Sequence, residues 1–245
     1  MDHTVIPQNV RGILLDIEGT TSSVSYVYEV LFPFAREHLD SFLQERWEAP
    51  GTVRALNQLA RDAGATSFVD WTSDDSLAEA RERVRSEVQR LMAEDVKATG
   101  LKELQGLIWR GGFESGQLRA HVFPDVPVAL KAWADRGLDV RIYSSGSVAA
   151  QQLFFAQTEV GDLSAFLRGY YDTTTGPKRE STSYRRIAEE MRLPPAEILF
   201  LSDIVAELDA ARMAGLHTAL AVRHGNARIA EEHGHAVIRS FDELR

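Results

Sequence analysis

Short runs of apolar residues, separated by longer amphipathic stretches, recur along the chain. Four clear runs and two weaker ones cover residues 10–15, 138–143, 198–201 and 218–222, then 169–172 and 236–238. Runs of this length predict buried β-strands. A helical spacing of apolar positions separates most of them, over residues 127–136, 148–155, 184–191 and 205–214. Strands that alternate with helices predict an α/β fold, a doubly wound (Rossmann-like) parallel sheet with helices on both faces.

A different pattern occupies the stretch from about residue 23 to residue 108, which contains no convincing strand. One face of a helical pattern within it carries the apolar residues Leu77, Val84, Val88, Leu91 and Val96. A block of helices this long is hard to accommodate as one crossover, although such helices could also simply pack on the sheet. We therefore expect residues 1–22 and 109–245 to form the α/β core and residues 23–108 an inserted helical cap domain. Gly111-Gly112 predicts a bend where this insertion rejoins the core.

Composition and charge narrow the possible functions. The 245 residues are 44% hydrophobic and 26% charged, which is ordinary for a globular protein. The absence of cysteine excludes disulfides, thiolate metal sites and a cysteine nucleophile. A net charge of -9 argues against a nucleic-acid binder held by general electrostatics. No apolar run is long enough to span a bilayer and no signal peptide is evident, so we expect a cytoplasmic protein without membrane partners. We also expect a monomer.

The first predicted strand ends in two carboxylates one residue apart, Asp16 and Glu18, followed by Gly19 and Thr20. Side chains at positions i and i+2 of an extended chain point to the same side. The carboxyl end of a strand in an open α/β sheet borders the ligand crevice. This arrangement suits a metal and a phosphate, with one carboxylate as nucleophile and the other as proton donor. Taken alone, a solvated turn explains the same residues.

Two further loops carry groups that could bind a phosphate. Ser144, Ser145 and Gly146 follow the second strand, and hydroxyls with free backbone N–H groups at a helix start suit an anion. Ordinary helix capping by serine is the alternative, and it needs only one of the serines in this loop. Lys178 follows a Gly-Pro turn and could supply a compact positive charge. Arg179 competes for that role, and a solvated surface lysine is the alternative.

The strand over residues 198–201 is followed by a second acidic pair, Asp203 and Glu207. Asp203 could ligate a hard cation, and Glu207 could hold a metal-bound water or orient Lys178. The alternative is that Asp203 caps the following helix and Glu207 is an exposed helical residue. Because each of these loops follows a predicted strand, parallel pairing would bring all of them to one edge of the sheet.

Together these residues resemble the motifs of the haloacid dehalogenase superfamily. Those motifs are an Asp-x-Asp-Gly-Thr strand end, a Ser or Thr after the second strand, a Lys and an acidic pair. They would fall here on Asp16 to Thr20, Ser145, Lys178, and Asp203 with Glu207. The resemblance covers residues 8–22 and 112–240 and implies a helical cap at the point where the insertion begins.

A closer resemblance is to the enolase-phosphatases of methionine salvage, also called acireductone synthases. Four segments show this resemblance: Asp16-Ile17-Glu18-Gly19-Thr20-Thr21, Gln105-Gly106-Leu107-Ile108-Trp109, His121-Val122-Phe123-Pro124-Asp125-Val126 and Ile142-Tyr143-Ser144-Ser145-Gly146-Ser147. In the first of them, Glu18 replaces the usual second Asp. The family's substrate is 2,3-diketo-5-methylthiopentyl 1-phosphate, which is enolised and then dephosphorylated. One departure is Pro177 directly before Lys178, which could shift the lysine slightly.

The resemblance also implies a cofactor and roles for individual residues. Mg²⁺ would bind Asp16, Asp203 and residue Glu18 through its backbone carbonyl. Ser144, Ser145, Gly146 and Lys178 would contact the substrate or its phosphate. Asp16 would be the nucleophile, Glu18 the acid and base, and Glu207 a supporting residue.

The base for enolisation has no unique candidate in the sequence. It could be an ionised Glu18, a cap residue, or a residue between Trp109 and Ser115, although a hinge alone would explain that last segment.

Three other functions compete with this interpretation. The chain could be a phosphatase of the same superfamily for another small phosphate ester, without enolase activity. A hydrolytic dehalogenase fits less well, since that reaction needs no metal and would leave Asp203 and Glu207 without a purpose. A non-catalytic binding protein on a degenerate phosphatase core is disfavoured by the intact acidic residues and Lys178.

Overall fold

The computed structural model describes residues 6–96, 98–228 and 233–244. Its strands are β1 (Gly12–Leu15), β2 (Asp139–Tyr143), β3 (Gly169–Tyr171), β4 (Ile198–Ser202), β5 (His217–Ala221) and β6 (Ala236–Ile238). They form one sheet in the order β3-β2-β1-β4-β5-β6, and every neighbouring pair is parallel. The predicted α/β fold and its six strands are therefore confirmed.

The α-helices of the described residues lie between the strands and in the long insertion. They are α1 (Val24–Tyr26), α2 (Phe32–Arg46), α3 (Pro50–Asp62), α4 (Phe68–Trp71), α5 (Leu77–Ala93), α6 (Thr99–Glu114), α7 (Asp125–Asp135), α8 (Val148–Ala156), α9 (Ser181–Met191) and α10 (Val205–Met213). A π-helical turn, Val27–Leu31, connects α1 to α2. None of the helices in this part of the chain is long and apolar enough to cross a membrane.

The chain divides into two compact units. The first contains the residues up to Val27 and those from Arg119 onward, and it holds the whole sheet. The second, Tyr28–Leu118, contains no strand among its described residues and has an apolar core of its own. Val84, Val88 and Leu91 of α5 belong to that core, as their spacing predicts.

Two expectations about the helical unit are wrong. Leu77 and Val96 are 54% and 40% exposed, because Leu77 is the first residue of α5 and Val96 lies beyond the end of that helix. Gly111 and Gly112 do not bend the chain, since α6 continues through both. A Cβ atom on Gly112 would lie 2.5 Å from Cζ of Phe34, so this glycine permits close packing of a helix instead of marking a hinge.

The strand order places a switch point beside β1. Successive connections lead from β1 to β2 and β3 on one side, and β4, β5 and β6 lie on the other. Ligands of open α/β sheets bind at such a point, outside the carboxyl ends of the strands. Leu15 pairs with Ile142 of β2 and with Leu201 of β4. The residues that follow these three strands are therefore neighbours at the crevice.

Candidate active site

Asp16 is held at the switch point by the sheet itself. Its backbone N–H donates to the carbonyl of Leu201 at 3.0 Å, which extends the β1–β4 pairing by one bond. Its side chain is only 8% exposed, and Oδ1 accepts a hydrogen bond of 2.7 Å from the N–H of Ile17. The position of this carboxylate is thus fixed by backbone contacts on both sides.

A tight turn follows Asp16. The carbonyl of Ile17 accepts hydrogen bonds from the N–H groups of Thr20, Thr21 and Ser22 at 3.2, 2.9 and 2.9 Å. Gly19 within the turn has φ +70°, and a Cβ atom there would lie 2.2 Å from Oδ2 of Asp203. Only glycine fits this conformation next to that carboxylate. The turn therefore brings the acidic loop after β4 against the acidic loop after β1.

Lys178 joins the two acidic loops. Its Nζ lies 2.8 Å from Oδ1 of Asp16 and 2.7 Å from Oε2 of Glu207, and its side chain is 10% exposed. Burial by itself lowers the pKa of Lys178, but the two carboxylates outweigh burial and the pKa is raised. The lysine is therefore charged at neutral pH. Arg179, the competing cation, is exposed, and the expectation of a solvated surface lysine at position 178 is excluded.

The loop that carries Lys178 is anchored by side-chain hydroxyls. Three successive carbonyls accept from them, Gly176 from Tyr143 at 2.7 Å, Pro177 from Ser183 at 2.8 Å and Lys178 from Tyr184 at 2.6 Å. Pro177 donates no backbone hydrogen bond, but its carbonyl still has a partner. The proline therefore leaves the lysine within hydrogen-bond distance of Asp16.

Glu207 lies in the first turn of α10 and is buried, so the alternative of an exposed helical residue is wrong. Besides its contact with Lys178, it accepts a hydrogen bond of 3.0 Å from the hydroxyl of Ser202. The same hydroxyl lies 3.4 Å from Oδ2 of Asp16 and accepts from the N–H of Ile204 at 3.1 Å. Sequence reasoning missed Ser202, although its place at the end of β4, directly before Asp203, was a usable signal.

Asp203 does not cap the helix that follows it. Ile204 occupies the N-cap position of α10, without a side-chain capping bond, so that alternative is also wrong. Burial raises the pKa of Asp203 to about 7, and the charges of Asp16 and Glu207 add to the effect. Burial and the charge of Asp16 likewise raise the pKa of Glu207 to about 7. The two carboxyls behave as parts of one electrostatic cluster.

The charge balance of this cluster fits a bound cation. Asp16, Asp203 and Glu207 place three carboxylates around one ammonium group, so the ionised cluster has excess negative charge. Excess charge in a buried site costs free energy unless a counter-charge is present. Among the residues that the structure describes, no three acidic, His or Cys side chains form a metal-binding group by themselves. Mg²⁺ needs few protein ligands because it keeps several waters, so two carboxylates and a backbone carbonyl suffice.

Glu18 is exposed, in contrast to Asp16. Strand β1 ends at Leu15, so the side-chain alternation of a strand does not govern residues 16 to 18. The backbone of Glu18 instead forms an isolated bridge with Ser22 across the turn. The two carboxylates thus differ sharply in environment, with one buried at the sheet edge and the other open to solvent.

The loop after β2 is a second anchored segment. Ser147 caps α8 by accepting from the N–H of Ala150 at 3.3 Å, so capping requires neither Ser144 nor Ser145. The side chain of Gln151 donates to the carbonyls of Gly146 at 2.6 Å and Tyr171 at 2.8 Å. Sequence reasoning missed this glutamine, which is buried and fixes the backbone of the loop.

Ser145 is exposed, and neither its hydroxyl nor its N–H takes part in a hydrogen bond within the described part of the chain. Within the described residues, the loop of Ser144, Ser145 and Gly146 makes no direct hydrogen bond to Asp16. The structure therefore joins Asp16, Lys178 and Glu207 directly. It places Ser144, Ser145 and Gly146 after the strand that neighbours β1.

These features match a known class of hydrolases. The sequence matches the haloacid dehalogenase-like hydrolase family over residues 10–215. The chain belongs to the haloacid dehalogenase-like hydrolase family. A solved structure of the UTR4 protein (Unknown transcript 4 protein) from Saccharomyces cerevisiae is 35% identical with a TM-score of 0.76. That comparison covers 96% of this chain and 100% of the yeast chain.

Curated relatives narrow the class further. The enolase-phosphatase E1 of Pseudomonas syringae pv. syringae is 49% identical over 232 residues, 95% of this chain and 96% of the relative. The enolase-phosphatase E1 of Synechococcus elongatus is 45% identical over 242 residues, 98% of this chain and 99% of the relative. Within its family, the chain therefore belongs with the enolase-phosphatases, as the sequence motifs predict.

Proposed function

We propose that the chain is a Mg²⁺-dependent enolase-phosphatase of methionine salvage. It would convert 2,3-diketo-5-methylthiopentyl 1-phosphate to 1,2-dihydroxy-3-keto-5-methylthiopentene and phosphate. The observation that carries the proposal is the contact of Lys178 with both Asp16 and Glu207 at the switch point, in a chain 49% identical to an enolase-phosphatase. In the proposed reaction, Asp16 would be the nucleophile, Lys178 would supply a fixed positive charge, and the surrounding carboxylates would favour a bound cation.

Asp16 is the proposed nucleophile, and its two oxygens differ. Oδ1 accepts hydrogen bonds from Ile17 and Lys178, whereas among the described residues Oδ2 has a single, longer contact of 3.4 Å with the hydroxyl of Ser202. Oδ2 would therefore attack phosphorus, and the bond from phosphorus to the leaving oxygen would break as an aspartyl-phosphate forms. Water would then cleave this intermediate and restore the carboxylate. In phosphoryl transfer, most of the rate comes from such positioning and electrostatics.

Glu18 is the proposed acid and base. In the first step its protonated carboxyl would give a proton to the leaving oxygen, and in the second its carboxylate would take one from the attacking water. Its exposure supports this role, since the group must exchange protons with substrate and solvent. Asp16 is assigned to the attack on phosphorus, so proton transfer is assigned to Glu18, the second carboxylate of the turn.

Phosphate binding is assigned to Lys178 and to the loop of Ser144, Ser145 and Gly146. Lys178 brings a charged donor that is already oriented by two carboxylates. Ser145 adds a hydroxyl and a backbone N–H at the start of α8. Donors fixed before the reaction stabilise developing charge without reorganisation cost. Gln151 supports this by holding the carbonyls of the loop in place.

Mg²⁺ would be held by the carboxylates of Asp16 and Asp203 and by the backbone carbonyl of Glu18. When bound, it would neutralise phosphate charge and polarise a substrate carbonyl for enolisation. Glu207 would remain a supporting residue, since its Oε2 is engaged by Lys178 and Ser202. The helical unit is the proposed cap that sets substrate specificity, and a cytoplasmic monomer remains our expectation.

The decisive test is an assay with the diketone phosphate and Mg²⁺. Absorbance from the enediol should rise before or together with phosphate release, and a chelator should stop turnover. Asp16→Asn should release no phosphate while the protein stays folded. Retained release by that variant would remove Asp16 as nucleophile. Release from generic phosphate esters, with none from the diketone phosphate, would instead indicate a phosphatase without enolase activity.

A further inference from the structure

The tight turn after Asp16, residues 17–22, is called the catalytic turn below. Each backbone carbonyl from residue 19 to residue 21 of this turn accepts a hydrogen bond from a residue outside it. Gly19 accepts from Nδ2 of Asn226 at 2.9 Å, Thr20 from Nε of Arg223 at 3.1 Å, and Thr21 from the N–H of Phe123 at 3.0 Å. Two of the three donors are side chains of one loop, the loop after β5. The turn at the end of β1, which carries the proposed nucleophile, is thus hydrogen-bonded to the loop after β5, a strand two positions away in the sheet.

Arg223 is built into the fold as an anchor. Its side chain is 4% exposed, and its guanidinium lies 4.7 Å from the ring centre of Phe123 and 4.5 Å from that of Phe241. Nη1 donates to Asp125 at 2.8 Å and to the carbonyl of Arg239 at 3.0 Å. The rigid fork of a guanidinium allows Nε to face Thr20 while Nη1 faces these partners.

Asp125 extends the anchor to two other parts of the core unit. It is the first residue of α7, and its Oδ2 also accepts from the N–H of Phe241 at 2.5 Å and from the hydroxyl of Ser240 at 3.2 Å. The start of α7 and the final turn of the described chain are therefore joined to Arg223. The side chain that donates to Thr20 is therefore itself held by bonds to other parts of the core unit.

Asn226 donates to the carbonyl of Gly19, the residue of the turn with a positive φ angle. Besides its bond to Gly19, Nδ2 donates to the carbonyl of Ala221, the last residue of β5, at 3.1 Å. Gly19 is also the residue whose α-carbon packs against Asp203. A change in the tilt of this peptide group would move Asp203 relative to Asp16.

We propose that Asn226 and Arg223 are positioning residues for phosphoryl transfer, which orient the Gly19 and Thr20 peptide groups and so align Asp16 with Asp203. The inference rests on the function proposed above, because it assigns these residues to the same reaction. In the described part of the chain neither side chain makes a hydrogen bond to the carboxylate of Asp16 or Asp203, so each would act through the backbone. Misplacement of a reacting group by about 1 Å can reduce a rate roughly 100-fold.

Asn226→Ala tests this inference, with Asn9→Ala as the matched control. Asn9 also donates from Nδ2 to a distant backbone carbonyl of the core unit, that of Ala196 at 2.6 Å, but not to the catalytic turn. We expect Asn226→Ala to lower kcat roughly tenfold or more with little change in KM. Asn9→Ala should keep the kcat of the wild type, and both variants should unfold at similar urea concentrations.

Hydrogen exchange gives a second measurement that is independent of activity. The N–H groups of Thr20, Thr21 and Ser22 all donate to Ile17, so their exchange reports the order of the turn. Asn226→Ala should speed exchange in the peptide that contains these residues and leave the strands β2 and β3 unchanged. General loosening of the fold would instead raise exchange throughout the core unit, and that result would overturn the inference.

A third variant tests the guanidinium separately. Arg223→Lys keeps a positive charge beside Asp125 but cannot also donate to Thr20 in the same geometry. It should lower kcat with little change in KM, as Asn226→Ala does. If Arg223→Lys does not fold, the comparison of Asn226 with Asn9 decides alone.

The outcomes separate the two proposals. Wild-type kcat in a folded Asn226→Ala protein with unchanged exchange overturns the positioning role. If wild type and Asn9→Ala both fail to release phosphate from the diketone phosphate and from p-nitrophenyl phosphate with Mg²⁺, the proposed function fails. The exchange measurement then decides whether Asn226 orders the turn.

Discussion

Lys178 donates to Oδ1 of Asp16 across 2.8 Å in a place where both side chains are nearly inaccessible to solvent. The two residues lie far apart in the sequence, and the ammonium group also contacts Glu207. This contact engages Oδ1 of Asp16, whereas Oδ2 has a longer contact of 3.4 Å with the hydroxyl of Ser202. The site therefore depends on the balance between the positive charge of Lys178 and the negative charges of Asp16 and Glu207.

Removal of the ammonium group should impair both stability and turnover. Lys178→Met leaves Asp16 and Glu207 buried without their partner, so we expect the metal-free protein to lose about 3 kcal/mol of unfolding free energy. Phosphate release should fall roughly 100-fold or more, as when a preorganised donor is removed. Lys131→Met is the control, because Lys131 and its partner Asp135 are both 64% exposed. Urea unfolding and phosphate release measure both effects, and equal losses in the two variants would contradict the role of Lys178.

Stability of the metal-free protein should depend on the ionisation of Glu207. Burial, together with the charge of Asp16, raises its pKa from the ordinary 4.5 to about 7 in the folded state. Between these values the folded protein binds more protons than the unfolded chain, so its stability falls as pH rises. The contribution is fully present below about pH 4.5 and is lost as pH rises through about 7, on the order of 1–3 kcal/mol in all.

Glu207→Gln separates this contribution from those of the other titrating groups. Urea unfolding of both proteins at pH 5 and pH 8, in the presence of a chelator, should show a larger loss of stability in the wild type. The amide cannot ionise, so the variant lacks the cost of charging this buried position. An equal or larger loss in Glu207→Gln would show that Glu207 does not carry the effect.

A divalent cation should stabilise the folded protein through Asp203. A ligand that binds only the folded state adds about 2.7 kcal/mol at a concentration 100 times its Kd. Mg²⁺ should therefore raise the Tm of the wild type, and a chelator should reverse the rise. Asp203→Asn should abolish most of this shift. The control Asp209→Asn should keep it, because Asp209 is an acid of α10 whose side chain is 46% exposed. A full shift in Asp203→Asn would exclude Asp203 as a ligand.

Gly19→Ala should damage the site more than its backbone angle alone explains. At φ +70° a side chain costs about 1 kcal/mol, and the new Cβ would also displace the Asp203 carboxylate, which lies 2.2 Å from its position. Gly137→Ala is the control, with φ +78° and nothing within 4 Å of the added atom. We expect a total loss of about 2 kcal/mol and reduced phosphate release for Gly19→Ala. Gly137→Ala should lose about 1 kcal/mol and keep its activity.

Much of the architecture could be read from the sequence because burial imposes a pattern on it. Strands buried on both faces of a parallel sheet require continuous apolar runs, and the runs over residues 10–15 and 198–201 correspond to β1 and β4. The predicted ends of helices were less accurate where a glycine is needed for close packing and not for a turn. Gly112 resembles a hinge in the sequence, but it lies within α6 because Phe34 packs against it.

The residue types of the site could likewise be predicted, because the order of strand ends and polar loops is local information. Asp16, Lys178 and Asp203 each follow a predicted strand, and parallel strands bring such loops to one edge. The choice between alternatives needed the tertiary structure. Only there does Lys178, and not Arg179, meet Asp16, and only there is Glu207 buried instead of exposed.

Most of the groups that hold the site in place had no signal in the sequence, and Ser202 at the end of β4 is the exception. Ser202, Gln151, Arg223 and Asn226 bond to atoms of other loops, most of them backbone carbonyls. A carbonyl is present in every residue, so no motif reveals which one will need a donor. The sequence by itself determined which chemistry the chain carries and on which strands. The tertiary structure decided how that chemistry is oriented, because orientation depends on contacts between residues far apart in the chain.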